Sequence, residues 1–231
     1  MSMIAIIPAR GGSKRIPKKN IRDFCGKPII GYSIEAALES GLFDEVMVST
    51  DSGEIAEVAK QYGAAVPFLR SAETSSDYAT TADVIAEVLE AYAARGRAFE
   101  AFACLYATAP FVTAAKLRGA ERLLRETGAD GVVAVARFSF PPQRAFLIEN
   151  DFVQYAYPEY RNARSQDLTP VYHDCGQFYF CRTEAFAREH SPITERTTAY
   201  PVPEEEAQDI DTAADWAIAE AKYRVLHEGA K

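Results

Sequence analysis

Short apolar runs alternate with helical patterns along most of the chain, and this alternation constrains the fold more than any other feature. Strands are predicted at residues 3–7, 45–51, 65–69, 99–106, 132–136 and 176–181. Helices are predicted at residues 28–41, 53–62, 81–94, 116–127 and 211–228, the last with Trp216, Ala219, Tyr223 and Leu226 buried. Repeated strand–helix units predict an α/β fold with a mainly parallel sheet, covered by helices on both faces, that binds ligands beyond the carboxyl ends of its strands.

Composition predicts a single domain over residues 1–231. The chain is 48% apolar and 25% charged, which at this length supplies one sizeable core. No apolar run is long enough for a membrane helix, and the first run leads into Arg10 rather than a cleavage site, so we expect neither a membrane span nor a signal peptide. Four cysteines without a C-x-x-C pair predict reduced thiols and a cytoplasmic location.

Residues 138–173 interrupt the alternation. They are rich in proline and aromatic side chains and have no helical period, so we expect an arm-like, hairpin-like excursion from the sheet. Two interpretations stay open: the arm is an oligomer contact, or it is a surface loop folded on its own domain.

Charge is distributed unevenly. Twenty-five basic and 33 acidic residues give a net charge of −8, which argues against a nucleic-acid binder. Residues 10–27, in contrast, hold seven basic residues and one acid, for a local charge of +6. The turn at Gly11 and Gly12 lets backbone N–H groups approach an anion among these basic side chains. The segment predicts either a polyphosphate site or a solvated charged loop.

Asp209 and Asp211 lie two residues apart near the end of the chain. In an extended segment their carboxylates fall on one side and can share a hard cation such as Mg²⁺. The other interpretation is that Asp211 caps the last helix.

Residues 75–81 place serine, threonine and aspartate side chains directly before a predicted helix. Hydroxyls and free N–H groups at such a position suit an anionic or polyol ligand. The alternative is that Asp77 or Thr81 serves only as the helix cap.

Several motifs resemble the CMP-sialic acid synthetase family, the cytidylyltransferases that activate acidic sugars. Residues 7–14, 17–20 and 26–28 are similar to the family's CTP-binding signature, and residues 209–211 match its metal-binding aspartates. The resemblance covers essentially the whole chain. It implies a Rossmann-like nucleotidyltransferase of three α/β/α layers, with a protruding dimerisation arm.

The resemblance also implies which residues form the site. It assigns nucleotide binding to Ala9, Arg10, Gly11, Gly12, Ser13, Lys19, Asn20 and Arg70. It assigns sugar binding to Thr81, Tyr106, Gln177 and Arg164, where Arg164 or Arg161 reaches the site of a partner copy. Residues expected to act in catalysis are Arg10, Lys14, Lys19, Asp209 and Asp211, and the last two hold one or two Mg²⁺ ions, with Mn²⁺ as a substitute.

One departure from the family pattern points to a branch. Where sialic acid synthetases usually carry a sugar-contacting glutamine, this chain has Tyr106, and residues 172–179 and 208–212 are similar to the pseudaminic acid branch. Pseudaminic acid lacks the terminal hydroxyl of sialic acid and ends in a methyl group. Because an amide left unpaired there would cost about 1 to 3 kcal/mol, an aromatic ring suits that sugar better.

The predicted reaction transfers CMP from CTP to an acidic nine-carbon sugar and releases pyrophosphate. The predicted sugar is pseudaminic acid. The predicted protein is a homodimer that binds neither nucleic acid nor membrane. Two alternatives stay open: a synthetase for CMP-sialic or CMP-legionaminic acid, and a non-catalytic nucleotide-binding protein of the same fold. No residue is predicted as the general base.

Overall fold

A six-stranded sheet forms the centre of the computed structural model, which describes residues 1–228. Strands in the described chain are β1 (Met3–Pro8), β2 (Asp23–Phe24), β3 (Lys27–Pro28), β4 (Glu45–Ser49), β5 (Ala101–Leu105), β6 (Gly131–Arg137), β7 (Phe146–Glu149), β8 (Phe152–Tyr155), β9 (Tyr172–Arg182) and β10 (Thr197–Val202). Six of them pair in the order β10-β6-β9-β5-β1-β4, and every neighbouring pair is parallel except the two that involve β9. The prediction of a mainly parallel sheet is confirmed.

Helices cover both faces of this sheet. They are α1 (Ile29–Ser40), α2 (Gly53–Gln61), α3 (Thr81–Ala93), α4 (Ala114–Thr127), α5 (Thr183–Glu189) and α6 (Ala213–Glu228). Strand β1, which has a neighbour on each side, packs Ala5 and Ile7 with α1, α2 and α4, and Ile4 and Ile6 with α3 and α5. Because successive side chains of a strand point to opposite faces, an all-apolar strand needs cover on both sides. The expected three-layer α/β/α fold is confirmed.

Two predictions are wrong, one about a strand and one about a buried side chain. Residues 65–69 do not form a strand, since only Ala65 bridges to Met47, and Pro67 offers no N–H donor to extend that pairing. Leu226, predicted to be buried, is 36% exposed. The aromatic packing of α6 involves Trp216 and Tyr223, whose rings lie 5.6 and 5.5 Å from that of Phe24, and Leu226 lies beyond them.

Four helices and strands of the described chain were not predicted: the helix α5, the strand β10 and the two-residue strands β2 and β3. The arm between β6 and β9 contains the β7–β8 hairpin, which confirms the expected hairpin character. Asn150 and Asp151 both have positive φ (49° and 67°), the geometry of a two-residue type I′ turn. Apolar side chains on this hairpin are solvent-exposed, among them Ile148 (75%) and Phe152 (73%). Within residues 1–228, no helix has the length and apolarity needed to cross a bilayer.

Candidate active site

The carboxyl ends of β1, β4 and β5 lie side by side, because these strands are parallel neighbours. The segments that follow them open on a cleft of about 280 Å³, where ligands of parallel α/β sheets bind. Its lining includes Arg10, Lys19, Asn20, Arg70, Asp77, Thr81 and Tyr106. The sheet therefore brings together predicted site residues from distant parts of the sequence.

The loop after β1 is shaped by hydrogen bonds rather than by glycine conformation. Neither Gly11 nor Gly12 has a positive φ. The Gly11 N–H donates to Asp51 Oδ1 at 2.7 Å, and the buried Asn20 side chain donates from Nδ2 to the Arg10 carbonyl oxygen at 2.9 Å. Asn20, predicted to bind the nucleotide, thus also holds the loop in place.

Two further loop residues predicted to bind the nucleotide occupy different environments. Ala9 is buried, and its N–H donates to the carbonyl oxygen of Ser49 at the end of β4. Ser13 is half-buried, and its N–H donates to the Gly11 carbonyl oxygen at 3.0 Å. Ser13 therefore lies on the accessible side of the loop, while Ala9 anchors the loop to the sheet.

Asp77 bridges two cations of this loop. Arg10 Nη1 donates to its Oδ1 at 2.7 Å, and Lys14 Nζ donates to its Oδ2 at 2.5 Å. The hydrogen bonds from Lys14 and Arg10 lower the pKa of the Asp77 carboxyl group. Asp77 does not cap α3, because Thr80 does so in a reciprocal pair of hydrogen bonds with Asp83. The sequence did not predict these ion pairs, because Asp77 was identified only as one member of the polar segment 75–81.

Asp211 pairs with two other cations of the same loop. Arg15 Nη2 donates to Asp211 Oδ1 at 2.8 Å, and Lys19 Nζ lies 3.6 Å from that oxygen. The interpretation of Asp211 as a helix cap is wrong, because the Thr212 Oγ1 accepts from the Asp215 N–H at 3.2 Å and the Asp215 carboxylate accepts from the Thr212 N–H at 2.7 Å. Lys19 also donates to the carbonyl that precedes Asp211, at 2.7 Å.

Asp209 completes the pair of predicted metal ligands. Partial desolvation by surrounding protein atoms, and secondarily the neighbouring Asp211 carboxylate, raise the pKa of Asp209. No group of three or more His, Cys, Asp or Glu side chains within residues 1–228 has the arrangement of a metal site. The chain thus offers two neighbouring carboxylates, one of which is paired with the basic loop after β1.

Arg70 is a buried residue of the cleft lining. It is only 8% exposed, and it donates from Nε to Ser49 Oγ at 3.0 Å and from Nη2 to the Ser49 carbonyl oxygen at 2.6 Å. Burial lowers the pKa of the Arg70 guanidinium, and the carboxylate of Asp51 partly offsets this. A buried guanidinium held by two hydrogen bonds to one residue is rigid, which suits the predicted contact with a base.

Tyr106 and Thr81 also line the cleft, and Thr81 is the first residue of α3 rather than its cap. The rings of Tyr106 and Tyr179 are 5.6 Å apart, and their hydroxyl oxygens are 3.4 Å apart. Burial raises the pKa of Tyr106, and a side-chain hydrogen bond with Thr81 acts in the opposite direction. Tyr179 in turn donates to the carboxylate of Asp174. Neither Tyr179 nor Asp174 was singled out from the sequence, since both appeared only inside the motif at 172–179.

Two predicted sugar-binding residues lie outside this lining. Gln177 is 2% exposed, and its Nε2 donates to the carbonyl oxygen of Glu206 at 2.5 Å, so its described contact is with the segment that leads to Asp209. Arg164 lies on the arm and pairs with Asp167 at 2.6 Å. Their contacts with a sugar stay predictions.

With this geometry established, comparison with known proteins places the chain in a family. The model of the cytidylyltransferase family matches residues 4–230. The chain belongs to this family. Cytidylyltransferases are CTP-dependent nucleotidyltransferases, so the predicted class of enzyme is confirmed.

Several curated relatives match this cytidylyltransferase over its full length. A pseudaminic acid cytidylyltransferase of Campylobacter jejuni is 42% identical over 231 residues, all of both chains. A CMP-N,N′-diacetyllegionaminic acid synthase of Legionella pneumophila is 35% identical over 99% of each chain. The family resemblance deduced from the sequence is confirmed.

A solved structure of a CMP:2-keto-3-deoxy-manno-octonic acid synthetase, complexed with CTP, has the same fold. Its TM-score to this cytidylyltransferase is 0.70, and the match covers 99% of this chain and 100% of that one. At 18% identity this likeness concerns the fold alone. The nucleotidyltransferase architecture expected from the sequence is confirmed.

Proposed function

We propose that this enzyme transfers CMP from CTP to the anomeric hydroxyl of pseudaminic acid and releases pyrophosphate. The observation that carries the proposal is the cleft that brings Arg10, Lys19, Arg70 and Tyr106 together, with Asp211 paired to Arg15 and Lys19 of the same basic loop. A full-length relative that is 42% identical and named for this sugar supports the choice of substrate.

The residues divide the work by charge and position. Arg10, Lys14 and Lys19 offset the negative charge of the triphosphate, and the fixed guanidinium of Arg70 orients the nucleotide. The sugar hydroxyl attacks the α-phosphorus in line, and pyrophosphate leaves on the opposite side. Because such transfers need little covalent help from the protein, positioning and charge neutralisation supply most of the rate enhancement.

A divalent cation fits the Asp209–Asp211 pair. Both residues offer hard carboxylate oxygens, neither caps α6, and their mutual repulsion is relieved by a cation. Mg²⁺, or Mn²⁺ in its place, would polarise the α-phosphate and lower the pKa of the attacking hydroxyl when bound. The chain's own task is to hold the two carboxylates, which Lys19 does by donating to the carbonyl between them.

The defining experiment measures pyrophosphate release with Mg²⁺ and each nucleoside triphosphate in turn. Pseudaminic, sialic and legionaminic acids serve as parallel acceptors. Release with CTP and pseudaminic acid alone establishes the reaction and the branch. A preference for sialic or legionaminic acid keeps the reaction and overturns the interpretation of Tyr106. CTP binding without pyrophosphate release in the presence of any of these acids supports the non-catalytic alternative.

Asp209→Ala and Asp211→Ala test the metal assignment. Each variant is expected to lose turnover far more than CTP affinity, because the carboxylates act on the reacting phosphate rather than on the base. Direct titration of Mn²⁺ in the presence of CTP, followed by electron paramagnetic resonance, should show weakened metal binding. Wild-type Mn²⁺ affinity in both variants would contradict the assignment.

A homodimer built through the arm is part of the proposal. The exposed apolar side chains of the β7–β8 hairpin, including Ile148 and Phe152, give a second copy a surface to cover. Light scattering should give about 51 kDa, twice 25.4 kDa, and Phe152→Asp should shift it toward the monomer. A wild-type mass near 25.4 kDa at micromolar concentration would refute the dimer.

The dimer proposal places Arg164 of one copy in the site of the other. A mixture of equal amounts of Arg164→Ala and Asp211→Ala chains then forms hybrid dimers with one intact site, and should recover about a quarter of wild-type activity. Failure of the two inactive variants to complement each other would leave Arg164 outside the partner's site. We place the reaction in the cytoplasm, where CTP is available.

A further inference from the structure

The β4–α2 segment, residues 49–52, contacts both parts of the predicted nucleotide site. The Ala9 N–H donates to the carbonyl oxygen of Ser49 at 2.9 Å, and the Arg70 N–H donates to the carbonyl oxygen of Thr50 at 2.8 Å. The Arg70 guanidinium binds Ser49 as well. This segment therefore joins the basic loop after β1 to the arginine that is predicted to contact the base.

Asp51 binds the β4–α2 segment to Gly11. Its Oδ1 accepts from the Gly11 N–H at 2.7 Å. A Cβ on Gly11 would lie 3.1 Å from Ser52 Cβ, inside the separation of about 3.5 to 4.0 Å at which carbon atoms normally pack. The backbone of the basic loop thus lies so close to the segment that a residue larger than glycine fits only if one of the two moves.

The backbone on both sides of Asp51 is fixed without help from the basic loop. Before it, the Thr50 carbonyl oxygen accepts from the Arg70 N–H. After it, the Ser52 N–H donates to Thr50 Oγ1 at 3.1 Å, and Ser52 caps α2, where its Oγ accepts from the Ile55 N–H at 3.4 Å. The attachment point of the carboxylate is therefore set by β4 and α2, and the loop that binds it takes its position from them.

Asp51 differs from two other carboxylates on this loop in what it binds. Asp77 and Asp211 pair with side-chain cations of the loop, which a triphosphate would also engage. Asp51 accepts from a backbone N–H instead, so it fixes the course of the loop. Its charge also partly offsets the effect of burial on the pKa of Arg70. Asp51 thus acts on both parts of the nucleotide site from outside the cleft lining.

We propose that Asp51 is a positioning residue: through the Gly11 N–H, it holds the basic loop after β1 where the loop binds the triphosphate of CTP. This inference rests on the proposed function, and it adds a residue outside the cleft lining to the nucleotide site. It also assigns the Gly11 N–H, which was expected to approach an anion, to a carboxylate of the protein itself.

Replacement of Asp51 tests the hydrogen bond separately from the charge. Asp51→Ala removes both, whereas Asp51→Asn keeps an oxygen acceptor for the Gly11 N–H and removes only the charge. In titration calorimetry with Mg²⁺ present, we expect Asp51→Ala to raise the Kd for CTP about tenfold, the effect of one hydrogen bond, and Asp51→Asn to stay within about threefold of wild type. A wild-type Kd for CTP in Asp51→Ala overturns the proposal, and so do equal losses in the two variants.

CMP separates positioning of the loop from a general loss of structure. It lacks the β- and γ-phosphates, so its Kd should rise by no more than about threefold in Asp51→Ala, while that of CTP rises further. A loss of CMP affinity as large as the loss of CTP affinity would show that Asp51 supports the whole site, and would overturn the positioning role.

Gly11→Ala tests the same contact from the side of the loop. The added Cβ meets Ser52 and should push the loop away from Asp51, so we expect a similar rise in the Kd for CTP. Because both changes break one contact, the double variant should lose less CTP affinity than the product of the two single losses. Losses that multiply would show independent effects and contradict the proposal.

Asp44 provides the matched control. It is exposed like Asp51, and its Oδ2 accepts from the Met3 N–H at 2.7 Å at the opposite, amino end of β1. Asp44→Ala should leave the Kd for CTP unchanged, and a loss as large as that in Asp51→Ala would contradict the proposal. Wild-type enzyme is titrated first. If it binds no CTP, the proposed function fails and this inference with it; if it binds CTP and Asp51→Ala binds it equally well, only the role of Asp51 fails.

Discussion

Lys116 anchors the segment that carries the proposed metal ligands, and its replacement should be costly. It is 8% exposed in the first turn of α4, where Nζ donates to the Phe111 carbonyl oxygen at 2.7 Å and pairs with Glu206 Oε2 at 2.5 Å. The buried Gln177 amide binds the backbone carbonyl of the same glutamate. Both contacts hold the turn three residues before Asp209.

Lys116→Met keeps most of the volume and removes the charge. Loss of one partner from a fully buried ion pair costs about 3 to 5 kcal/mol, because the other charge is left uncompensated. The Glu206 side chain is 32% exposed and can regain water, so we expect a cost of about 2 kcal/mol. For a chain of this size, that cost corresponds to a Tm lowered by about 4 to 8 °C.

Thermal and urea unfolding measure this effect, with Lys60→Met as the matched control. Lys60 pairs with Glu57 on the solvent-exposed surface of α2, where an ion pair contributes little, so its Tm should barely move. A second change, Glu206→Gln, should restore part of the stability to Lys116→Met by removing the unpaired charge. Equal Tm values for Lys116→Met and wild type, or no recovery in the double variant, would refute the reasoning.

Three other outcomes are expected. Asp77→Asn should tighten CTP binding in calorimetry at low salt, with the gain fading as salt rises, because its carboxylate bridges two cations of the basic loop after β1; weaker binding would contradict this. Burial raises the pKa of Cys104 and Cys181 to about 12 and of Cys175 to about 11, so native protein at pH 8 should titrate at least three fewer thiols than unfolded protein. Gly131→Ala should cost about 1 to 3 kcal/mol in urea unfolding, because its Cβ would lie 2.9 Å from a carbonyl oxygen of β9, and a neutral result would show that β9 moves away.

The sheet was predictable because its signal is local. β1, β4, β5 and β6 are apolar runs whose burial on both faces follows from their own residues. β10 was missed because it is an edge strand, only partly buried and interrupted by Pro201. The helix α5 was missed because seven residues provide too few turns for a clear period.

The residues of the candidate site were easier to predict than the side chains that contact them. The basic loop and the Asp209–Asp211 pair are visible as composition and spacing, and the family resemblance gave them roles. The Tyr179–Asp174 contact depends instead on which side chains β9 turns toward Tyr106 across its antiparallel pairing with β5. Neither residue carries a sequence signal for this contact by itself.

The helix caps show that a shift of a few residues along the chain decides which side chain caps a helix and which is left to make an ion pair. At α6 the cap is Thr212, one residue after Asp211, and at α3 it is Thr80, three residues after Asp77. Both carboxylates pair with cations of the same basic loop: Asp77 bridges Arg10 and Lys14, and Asp211 pairs with Arg15 and Lys19. In the proposed complex, the triphosphate would replace these carboxylates as the anionic partner, so the charge of the loop would stay compensated with and without substrate. That compensation explains how a segment with a charge of +6 stays folded beside the carboxyl end of β1.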